Sequence, residues 1–330
     1  MKREEDWVLG IELPPALSLT AEGRLTDEIA AFVAGELRRR RNSEPAIGAV
    51  VTENRRMYFG VPQEHHHPNC FGSAVEVAVG IACTSGYHRI LGAALFDPER
   101  RPGQAVYSGV DSDRLSEHFP VGKRDMDVVT VFSDSYKLQP YLELWSLPYG
   151  GNKPAQVQPE PFAATEQLCA EFVRMLTPAA IHGAVLPKAI VKYMERKLRM
   201  LIQNSTGDGK TRPGRKRHAA GVVTRSGRVY YGVNLRSEAK GADRCSEWNA
   251  LGAAFTGGDD RSIVACFLFS PDYGDRGLLT VCGKCKNALS GCIDAQVGDV
   301  LIYFFENVRP TRRALLTHLR DNSYASAEGC

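Results

Sequence analysis

Two stretches of the chain share one pattern of apolar and polar residues. Residues 46–61 (AIGAVVTENRRMYFGV) and residues 219–233 (AAGVVTRSGRVYYGV) each contain an apolar run, a polar turn and an alternating run that ends in Gly-Val. Alternation with a period of two is typical of a β-strand, and a short polar segment between two such runs is typical of a hairpin. The pattern therefore predicts two β-hairpins.

A helical period precedes each hairpin. The apolar residues recur at spacings of i, i+3 and i+4, which place them on one face of an α-helix. They are Ile29, Phe32, Val33 and Leu37 before the first hairpin, and Ile190, Tyr193, Met194 and Leu198 before the second. We also expect a helix over about 163–175 at the start of the second half.

The similarity continues beyond the hairpins. Residues 73–98 and 245–271 both read as a helix, a Gly stop, a strand and a Pro stop, and residues 129–135 (VTVFSDS) then align with residues 279–285 (LTVCGKC) as a further strand. Alternating strands and helices indicate an α/β fold. We expect two tandem three-layer α/β/α units, each with a mixed sheet of about five strands flanked by helices.

Length and composition agree with this organisation. The 330 residues suit two domains of about 100–200 residues each. A hydrophobic content of 43% and a charged content of 24% are typical of a globular protein. Residues 148–162 are rich in Gly and Pro and predict a connection. We place the first unit in 1–150, a linker in 151–162 and the second unit in 163–330.

The net charge and the lengths of the apolar runs limit the possible partners and the location of the protein. A formal net charge of +3 is too small to name a partner. Apolar runs such as residues 263–269 are far shorter than the roughly 18–20 residues that span a bilayer. The first ten residues lack the apolar run of a secretory signal. We expect a cytoplasmic protein without a membrane partner.

The nine cysteines are an odd number spread over a long chain, which disfavours the disulfide framework of a small secreted domain. Cys83, Cys169, Cys266 and Cys292 lie in apolar surroundings and are predicted to be buried thiols. The His-rich residues 65–68 are predicted to form a polar loop rather than a metal site.

The remaining cysteines of interest lie close to a glutamate. Cys282 and Cys285 form a Cys-x-x-Cys motif at the start of a predicted helix, where one turn brings both sulfurs together. Cys245 begins another helix two residues before Glu247. Three ligands leave one tetrahedral position of a zinc ion open, as in catalytic sites, and Glu247 is then available to move protons. A closed structural zinc site and plain buried thiols are the alternatives.

Residues 245–247 (CSE) and 282–285 (CGKC) resemble the Cys-Ala-Glu and Pro-Cys-Gly-x-Cys pair of the zinc-dependent cytidine deaminase superfamily. The resemblance covers about 187–307 and, more faintly, the first unit. It implies that the three cysteines hold one Zn²⁺ per chain. It also implies that Glu247 is the proton shuttle in a hydrolytic deamination, at a cyclic amidine C–N bond, which converts a cytosine base to the uracil form and releases ammonia.

The resemblance also implies substrate contacts. Asn234 falls where the family's nucleoside-binding Asn-x-Glu begins, and Arg236 replaces the Glu of that motif. Lys216 falls about where the family has the aromatic residue that packs beside the pyrimidine. Lys286 takes the place of an arginine that hydrogen-bonds the thiolates. Cations at the two substrate positions suit phosphate. The expected substrates are cytidine, deoxycytidine or their nucleotides.

Two other functions remain open. The basic segment 210–217 suits an RNA- or DNA-editing cytidine or adenosine deaminase that binds single-stranded nucleic acid. The second alternative is a zinc-containing binding protein without catalytic activity. A homodimer is also left open, and the two units are expected to pack on each other as subunits of such enzymes would.

The first unit lacks the ligands of the second. A gapless alignment sets Gly72 and Ala74 opposite Cys245 and Glu247, and Phe132 and Ser135 opposite Cys282 and Cys285. A shift of two residues brings Glu76 opposite the catalytic position, but no Cys or His opposite the first ligand. We therefore expect the first unit to be a degenerate copy of the second.

Overall fold

The fold is described from a computed structural model. The described residues are 8–40, 46–63, 72–87, 89–98, 115, 126–140, 162–205, 217–235, 244–258, 262–273, 279–307 and 309–321. The first unit contains strands β1 (Ile11–Glu12), β2 (Ile47–Thr52), β3 (Arg56–Gly60), β4 (Ile90–Phe96), β5 (Asp127–Val131) and β6 (Tyr136–Pro140), and helices α1 (Asp27–Arg40) and α2 (Ala74–Thr84).

The second unit contains a second set of strands and six helices among its described residues. The strands are β7 (Thr165–Gln167), β8 (Ala219–Thr224), β9 (Arg228–Val233), β10 (Ile263–Ser270), β11 (Leu301–Glu306) and β12 (Arg312–Leu315). The helices are α3 (Ala170–Met175), α4 (Pro178–His182), α5 (Lys188–Ser205), α6 (Ser246–Thr256), α7 (Gly283–Ser290) and α8 (Leu316–Asp321).

Both sheets have the same strand order. The first runs β1-β3-β2-β4-β5-β6 and the second runs β7-β9-β8-β10-β11-β12. In each sheet one pair is parallel, β4 with β5 and β10 with β11, and the other pairs are antiparallel. The predicted pair of mixed-sheet α/β units is confirmed. Each sheet has six strands rather than about five because the edge strands β1 and β7 are too short to produce a recognisable period.

The predicted hairpins and amphipathic helices are confirmed. The hairpins are β2–β3 and β8–β9. The apolar face of α1, with Ile29, Val33 and Leu37 fully buried, packs on the first sheet. In α5 the equivalent residues are also fully buried. The helix expected over 163–175 is largely wrong, because β7 pairs with β9 there and α3 begins only at Ala170.

The strand predicted at 279–285 is wrong, and this changes the alignment of the two units. Cys282 is the N-cap of α7, and no described strand covers this segment. The strand that corresponds to β5 is β11, because each pairs in parallel with the preceding strand. Phe132 and Ser135 therefore do not correspond to the second pair of cysteines. The equivalent connection in the first unit is 97–126, mostly outside the described residues, and its sequence contains no cysteine.

Two glycines fix the alignment of the central helices. A Cβ on Gly60, at the end of β3, would overlap the carbonyl oxygen of Ala74 in the first turn of α2. A Cβ on Gly232, in β9, would overlap the carbonyl oxygen of Ser246 in the first turn of α6. Both strands thus approach a helix so closely that only glycine fits, and Ala74 corresponds to Ser246.

This alignment differs by one residue from the gapless alignment of the sequences. Ser73, the N-cap of α2, corresponds to Cys245, the N-cap of α6. Val75 then corresponds to Glu247. The first unit therefore has neither a thiol nor a carboxylate at these two positions, and its status as a degenerate copy stays a prediction.

The two units pack through α2 and α6 with paired contacts. The Val61 N–H donates to Thr256 Oγ1, and the Val233 N–H donates to Thr84 Oγ1, both at 3.4 Å. Thr84 and Thr256 end the two helices, and the valines stand at the ends of β3 and β9. Because each contact has its exchanged counterpart, the units are related by an approximate two-fold axis, as in an isologous interface.

Several smaller expectations have mixed outcomes. Cys83, Cys266 and Cys292 are buried as predicted, whereas Cys169 is exposed because it lies at the N-cap of α3. The His-rich segment 65–68 and the linker 151–161 lie outside the described residues. Within the described part of the chain, no helix is long and apolar enough to cross a membrane.

Candidate metal centre

Three cysteine sulfurs converge in the second unit. The Sγ atoms of Cys245, Cys282 and Cys285 all lie within 4.8 Å of one another, and the first two are 3.6 Å apart. Thiolates bound tetrahedrally to zinc with Zn–S distances of about 2.3 Å stand roughly 3.8 Å apart. The spacing of these sulfurs therefore fits a tetrahedral metal with three thiolate ligands.

Two helix N-termini bring the sulfurs together. Cys245 is the N-cap of α6, with φ −70° and ψ 154°, and Cys282 is the N-cap of α7, with φ −69° and ψ 161°. Cys285 lies in the first turn of α7, and its N–H donates to Cys282 Sγ at 3.5 Å. The unpaired N–H groups and the dipole of a helix N-terminus stabilise negative charge. Both helices therefore favour thiolates at this point.

The start of α6 is tied to the end of β9. Arg244 and Leu235 form a β-bridge in which each N–H donates to the other's carbonyl oxygen, at 2.8 and 2.9 Å. The Asn249 side chain donates to the Val233 carbonyl oxygen at 2.7 Å. These bonds fix the backbone on both sides of Cys245.

The segment before α7 is tied to the end of β11. The Leu279 N–H donates to the Glu306 carboxylate at 3.1 Å, and its carbonyl oxygen accepts from Arg312 at 2.8 Å. Arg312 also pairs with Glu306 at 2.6 Å, and only 1% of the Glu306 side chain is exposed. This buried network holds the chain three residues before Cys282.

Glu247 lies in the first turn of α6 and is 3% exposed. The Ser246 hydroxyl donates to Glu247 Oε2 at 2.9 Å. Glu247 is not a member of the three-residue group that could hold a metal among the described residues. The charge of its carboxylate contributes to raising the pKa of Cys285.

Contacts between the thiols and burial both shift the pKa values of the cysteines in this region. Contact with Cys245 lowers the pKa of Cys285, but the hydrogen bond with Cys282, burial and the charge of Glu247 together raise it well above its usual value. Burial, with a smaller effect of Glu247, also raises the pKa of Cys266. A metal that binds here must displace the Cys285 proton, so metal affinity should increase with pH.

The substrate residues predicted from the resemblance are only partly described. Asn234 is half-buried, its side-chain oxygen accepts from the His218 N–H at 2.7 Å, and its own N–H donates to the His218 carbonyl oxygen at 3.0 Å. It therefore joins the end of β9 to the start of β8. Arg236 and Lys216 lie outside the described residues, and their roles stay predictions.

Two other basic side chains, Arg217 and Lys286, form contacts within the protein. Arg217 is the one residue of the basic segment 210–217 that is described, and its guanidinium makes two hydrogen bonds to Asp272, at 2.8 and 2.9 Å. Lys286 Nζ donates to the Leu319 carbonyl oxygen in α8 at 2.7 Å. Lys286 thus contacts the C-terminal helix, and its predicted role beside the thiolates stays a prediction.

The sequence reasoning missed two residues that flank the ligands. Arg244 is 5% exposed and forms an ion pair with Glu76 of the first unit. The Trp248 ring contacts two cationic side chains. Lys284 Nζ is 4.6 Å and the Arg244 guanidinium carbon 5.5 Å from its centroid. Arg244 and Trp248 are adjacent to the Cys-Ser-Glu motif, so their positions in the sequence could have indicated them. Nothing in the sequence indicates that Glu76 contacts this motif.

Comparisons with known proteins add partial likenesses. The sequence matches no family model and no curated protein. Among solved structures, it is similar to the cytidine deaminase from Burkholderia pseudomallei, with 19% identity, coverage of 34% of this chain and 86% of that chain, and a TM-score of 0.29. The values for the enzyme from Mycobacterium tuberculosis are 21%, 40%, 98% and 0.28, and for that from Mycobacterium leprae 17%, 38%, 95% and 0.28. These likenesses assign no activity to this chain.

Proposed function

We propose that the protein is a zinc-dependent hydrolase of the cytidine deaminase type, in which the second unit deaminates a cytosine base. One observation carries the proposal: three sulfurs are spaced for a tetrahedral metal, and a buried carboxylate outside that group, Glu247, lies in the first turn of the helix that Cys245 caps. A structural zinc site with four protein ligands has no use for such a carboxylate. A site that must add water and move protons needs one.

Cys245, Cys282 and Cys285 would hold the metal, and Glu247 would carry the protons. When bound, Zn²⁺ makes water a stronger nucleophile near neutral pH. The reaction forms a C4–O bond and breaks the bond between ring carbon C4 and the exocyclic amino nitrogen. Of the two hydrogens of water, Glu247 delivers one to ring N3 and the other to the departing amine, which leaves as ammonia. The Ser246 hydroxyl, bonded to Oε2 at 2.9 Å, keeps the carboxylate oriented.

Cytidine, deoxycytidine or their nucleotides are the proposed substrates. Asn234, whose side-chain oxygen accepts from the His218 N–H at 2.7 Å, is the residue proposed to bind the nucleoside. The nucleic-acid alternative depended on the basic segment, and its one described member, Arg217, is paired with Asp272. No contact among the described residues favours that alternative.

We further propose that the first unit is a degenerate copy of the second, produced by internal duplication. The identical strand orders and the paired contacts between the units support this origin. Ser73 and Val75, which occupy the places of Cys245 and Glu247, support the loss of the site. The first unit would then serve as a structural partner and not as a second catalyst.

Release of ammonia tests the proposed reaction. The zinc content of the purified protein is measured first, so that a failure of metal loading is separated from a failure of catalysis. Cytidine, deoxycytidine, their monophosphates and short single-stranded RNA and DNA are then offered separately. We expect ammonia and the uracil product from a nucleoside or nucleotide. A zinc-loaded protein that releases no ammonia from any of these substrates would contradict the proposal.

A further inference from the structure

A buried ion pair joins the two units next to a metal ligand. Arg244 Nε donates to Glu76 Oε1 at 3.1 Å, and a second guanidinium nitrogen contacts Oε2 of the same carboxylate. Only 5% of the Arg244 side chain and 4% of the Glu76 side chain are exposed. Two parallel bonds of this kind fix both distance and orientation. Arg244 directly precedes Cys245, so this geometry is imposed one residue from the candidate metal centre.

The Glu76 carboxylate is held rigidly by its own helix. Its Oε2 atom accepts from the Ser73 N–H at 3.1 Å, and the Ser73 hydroxyl accepts from the Glu76 N–H at 3.1 Å, which forms a complete capping box. A carboxylate fixed in this way cannot follow a displaced partner. Glu76 therefore acts as the anchor of the pair, and Arg244 is the residue that is positioned.

A second residue of the first unit reaches the same turn of α6. Gln63 Nε2 donates to the Trp248 carbonyl oxygen at 3.1 Å. The Arg244 guanidinium also lies beside the Trp248 ring. The first unit thus contacts both ends of the segment 244–248, which contains Cys245 and Glu247.

The approximate two-fold axis would give this ion pair a counterpart on the other side of the interface, but none occurs among the described residues. The β-bridge of Leu235 with Arg244 has its counterpart in the bridge of Gln63 with Gly72. Gly72 therefore occupies the place of Arg244, and it has no side chain with which to form the exchanged pair. The threonine contacts occur on both sides, whereas in the described part of the chain this ion pair occurs only beside the cysteines.

We propose that Glu76 is a positioning residue for the metal centre: through Arg244, the first unit holds the start of α6 so that Cys245 meets the other two sulfurs. The inference rests on the proposed function, because it requires a metal at the three cysteines. Loss of one partner leaves a buried charge uncompensated. Residues that orient metal ligands typically change metal affinity by about 10–100-fold when they are replaced.

Cobalt binding to the full chain tests this role without an activity assay. Co²⁺ replaces Zn²⁺ in thiolate sites and absorbs visible light there, so a titration gives an apparent Kd. Glu76→Gln should bind Co²⁺ about tenfold or more weakly than the wild type. Asp127→Asn is the matched control, because Asp127 is 4% exposed and pairs with Arg24 inside the first unit. Its Co²⁺ affinity should match that of the wild type.

The outcomes separate a positioning role from a general loss of stability. Circular dichroism during thermal unfolding is recorded for both variants. Unchanged Co²⁺ affinity in Glu76→Gln, or equal weakening in both variants, would overturn the proposal. If Glu76→Gln does not fold, Arg244→Lys is tested in its place. Lysine keeps the charge but cannot form both hydrogen bonds to the Glu76 carboxylate, so weaker Co²⁺ binding is expected. Unchanged Co²⁺ binding would overturn the proposal. A wild type without cobalt–thiolate absorption would refute the proposed function as well.

Discussion

The central helices of the two units begin at equivalent residues but with different chemistry. In α2 the Ser73 hydroxyl accepts a capping hydrogen bond from Glu76 N at 3.1 Å. In α6 the Cys245 side chain accepts no capping hydrogen bond from the described backbone of that helix. A serine cap contributes about 1 kcal/mol to helix stability. The second unit therefore forgoes a local contribution to stability and presents a sulfur to the candidate metal centre instead.

The next difference lies two residues further along. Val75 is fully buried, and Glu247 is 3% exposed at the equivalent place. A buried carboxylate costs free energy unless it is hydrogen-bonded, and Ser246 supplies such a bond where α2 has Ala74. Because the first unit attains the same fold with valine, the fold does not require the carboxylate. The comparison thus supports the proposal that Glu247 serves the chemistry of the second unit.

The largest expected effect tests whether activity depends on this second difference. Glu247→Gln keeps the size of the side chain but cannot transfer protons, so turnover should fall at least about 10²–10⁴-fold. Zinc content and the unfolding temperature should stay close to those of the wild type. Glu195→Gln, in an ion pair on α5 with Arg199, is the control and should keep full activity. Substantial ammonia release by Glu247→Gln would make the catalytic assignment wrong.

The two-fold relation of the units predicts equal effects at two distant residues. Thr84→Val and Thr256→Val each remove a hydroxyl that accepts a backbone N–H of the other unit at 3.4 Å. An unsatisfied buried N–H costs about 1–3 kcal/mol, and bonds of this length should lie at the lower end. Urea unfolding should show similar destabilisation for both variants. A clear loss for one and none for the other would break the equivalence.

A smaller effect concerns the N-cap of α6, where the Cys245 side chain accepts no capping hydrogen bond from the described backbone. In metal-free protein, Cys245→Ser should stabilise the second unit by about 0.5–1 kcal/mol, because serine is a better N-cap than a thiol. Ser73→Ala should destabilise the first unit by a similar amount. Both values come from denaturant unfolding in the presence of a chelator. If metal-free Cys245→Ser is less stable than the metal-free wild type, the proposed exchange of stability for a ligand does not hold.

The smallest effect concerns the ion pair of Arg217 with Asp272, which joins the start of β8 to the end of β10 in the second unit. Burial raises the pKa of Asp272, but the hydrogen bonds from Arg217 lower it further, so its net pKa is lowered. Asp272→Asn should therefore cost about 0.2–1 kcal/mol at neutral pH. This cost should shrink as the pH falls below about 4, where the Asp272 carboxylate of the unfolded chain becomes protonated, and it should disappear once the pH has passed the lowered pKa of the folded state. A cost independent of pH would exclude the ion pair as its cause.

Local patterns in the sequence predicted the hairpins, the amphipathic helices and the group of three cysteines. Each depends on residues close in the chain or on a repeat that the two halves share. The segment before Cys282 has apolar residues in the pattern of a strand, and the strand they predict is wrong. In the structure its backbone is held by Glu306 and Arg312 instead, through contacts that a local pattern does not contain.

Contacts between the units could not be predicted in the same way. Glu76 and Arg244 are 168 residues apart, and their pairing depends on how α2 packs against α6. The exact alignment of the helices also needed the structure, because it depends on the close approach of Gly60 and Gly232 to α2 and α6. A single sequence records which residues are present, but not which of them an interface between units brings together.

The number of zinc ions per chain tests the central claim most directly, because the account gives a metal centre to the second unit alone. Elemental analysis of the wild type should give one zinc per chain. Cys285→Ala should give none, whereas Cys292→Ala, which removes an equally buried thiol of the same unit, should keep one. Two zinc ions per wild-type chain, or zinc retained in Cys285→Ala, would contradict the account.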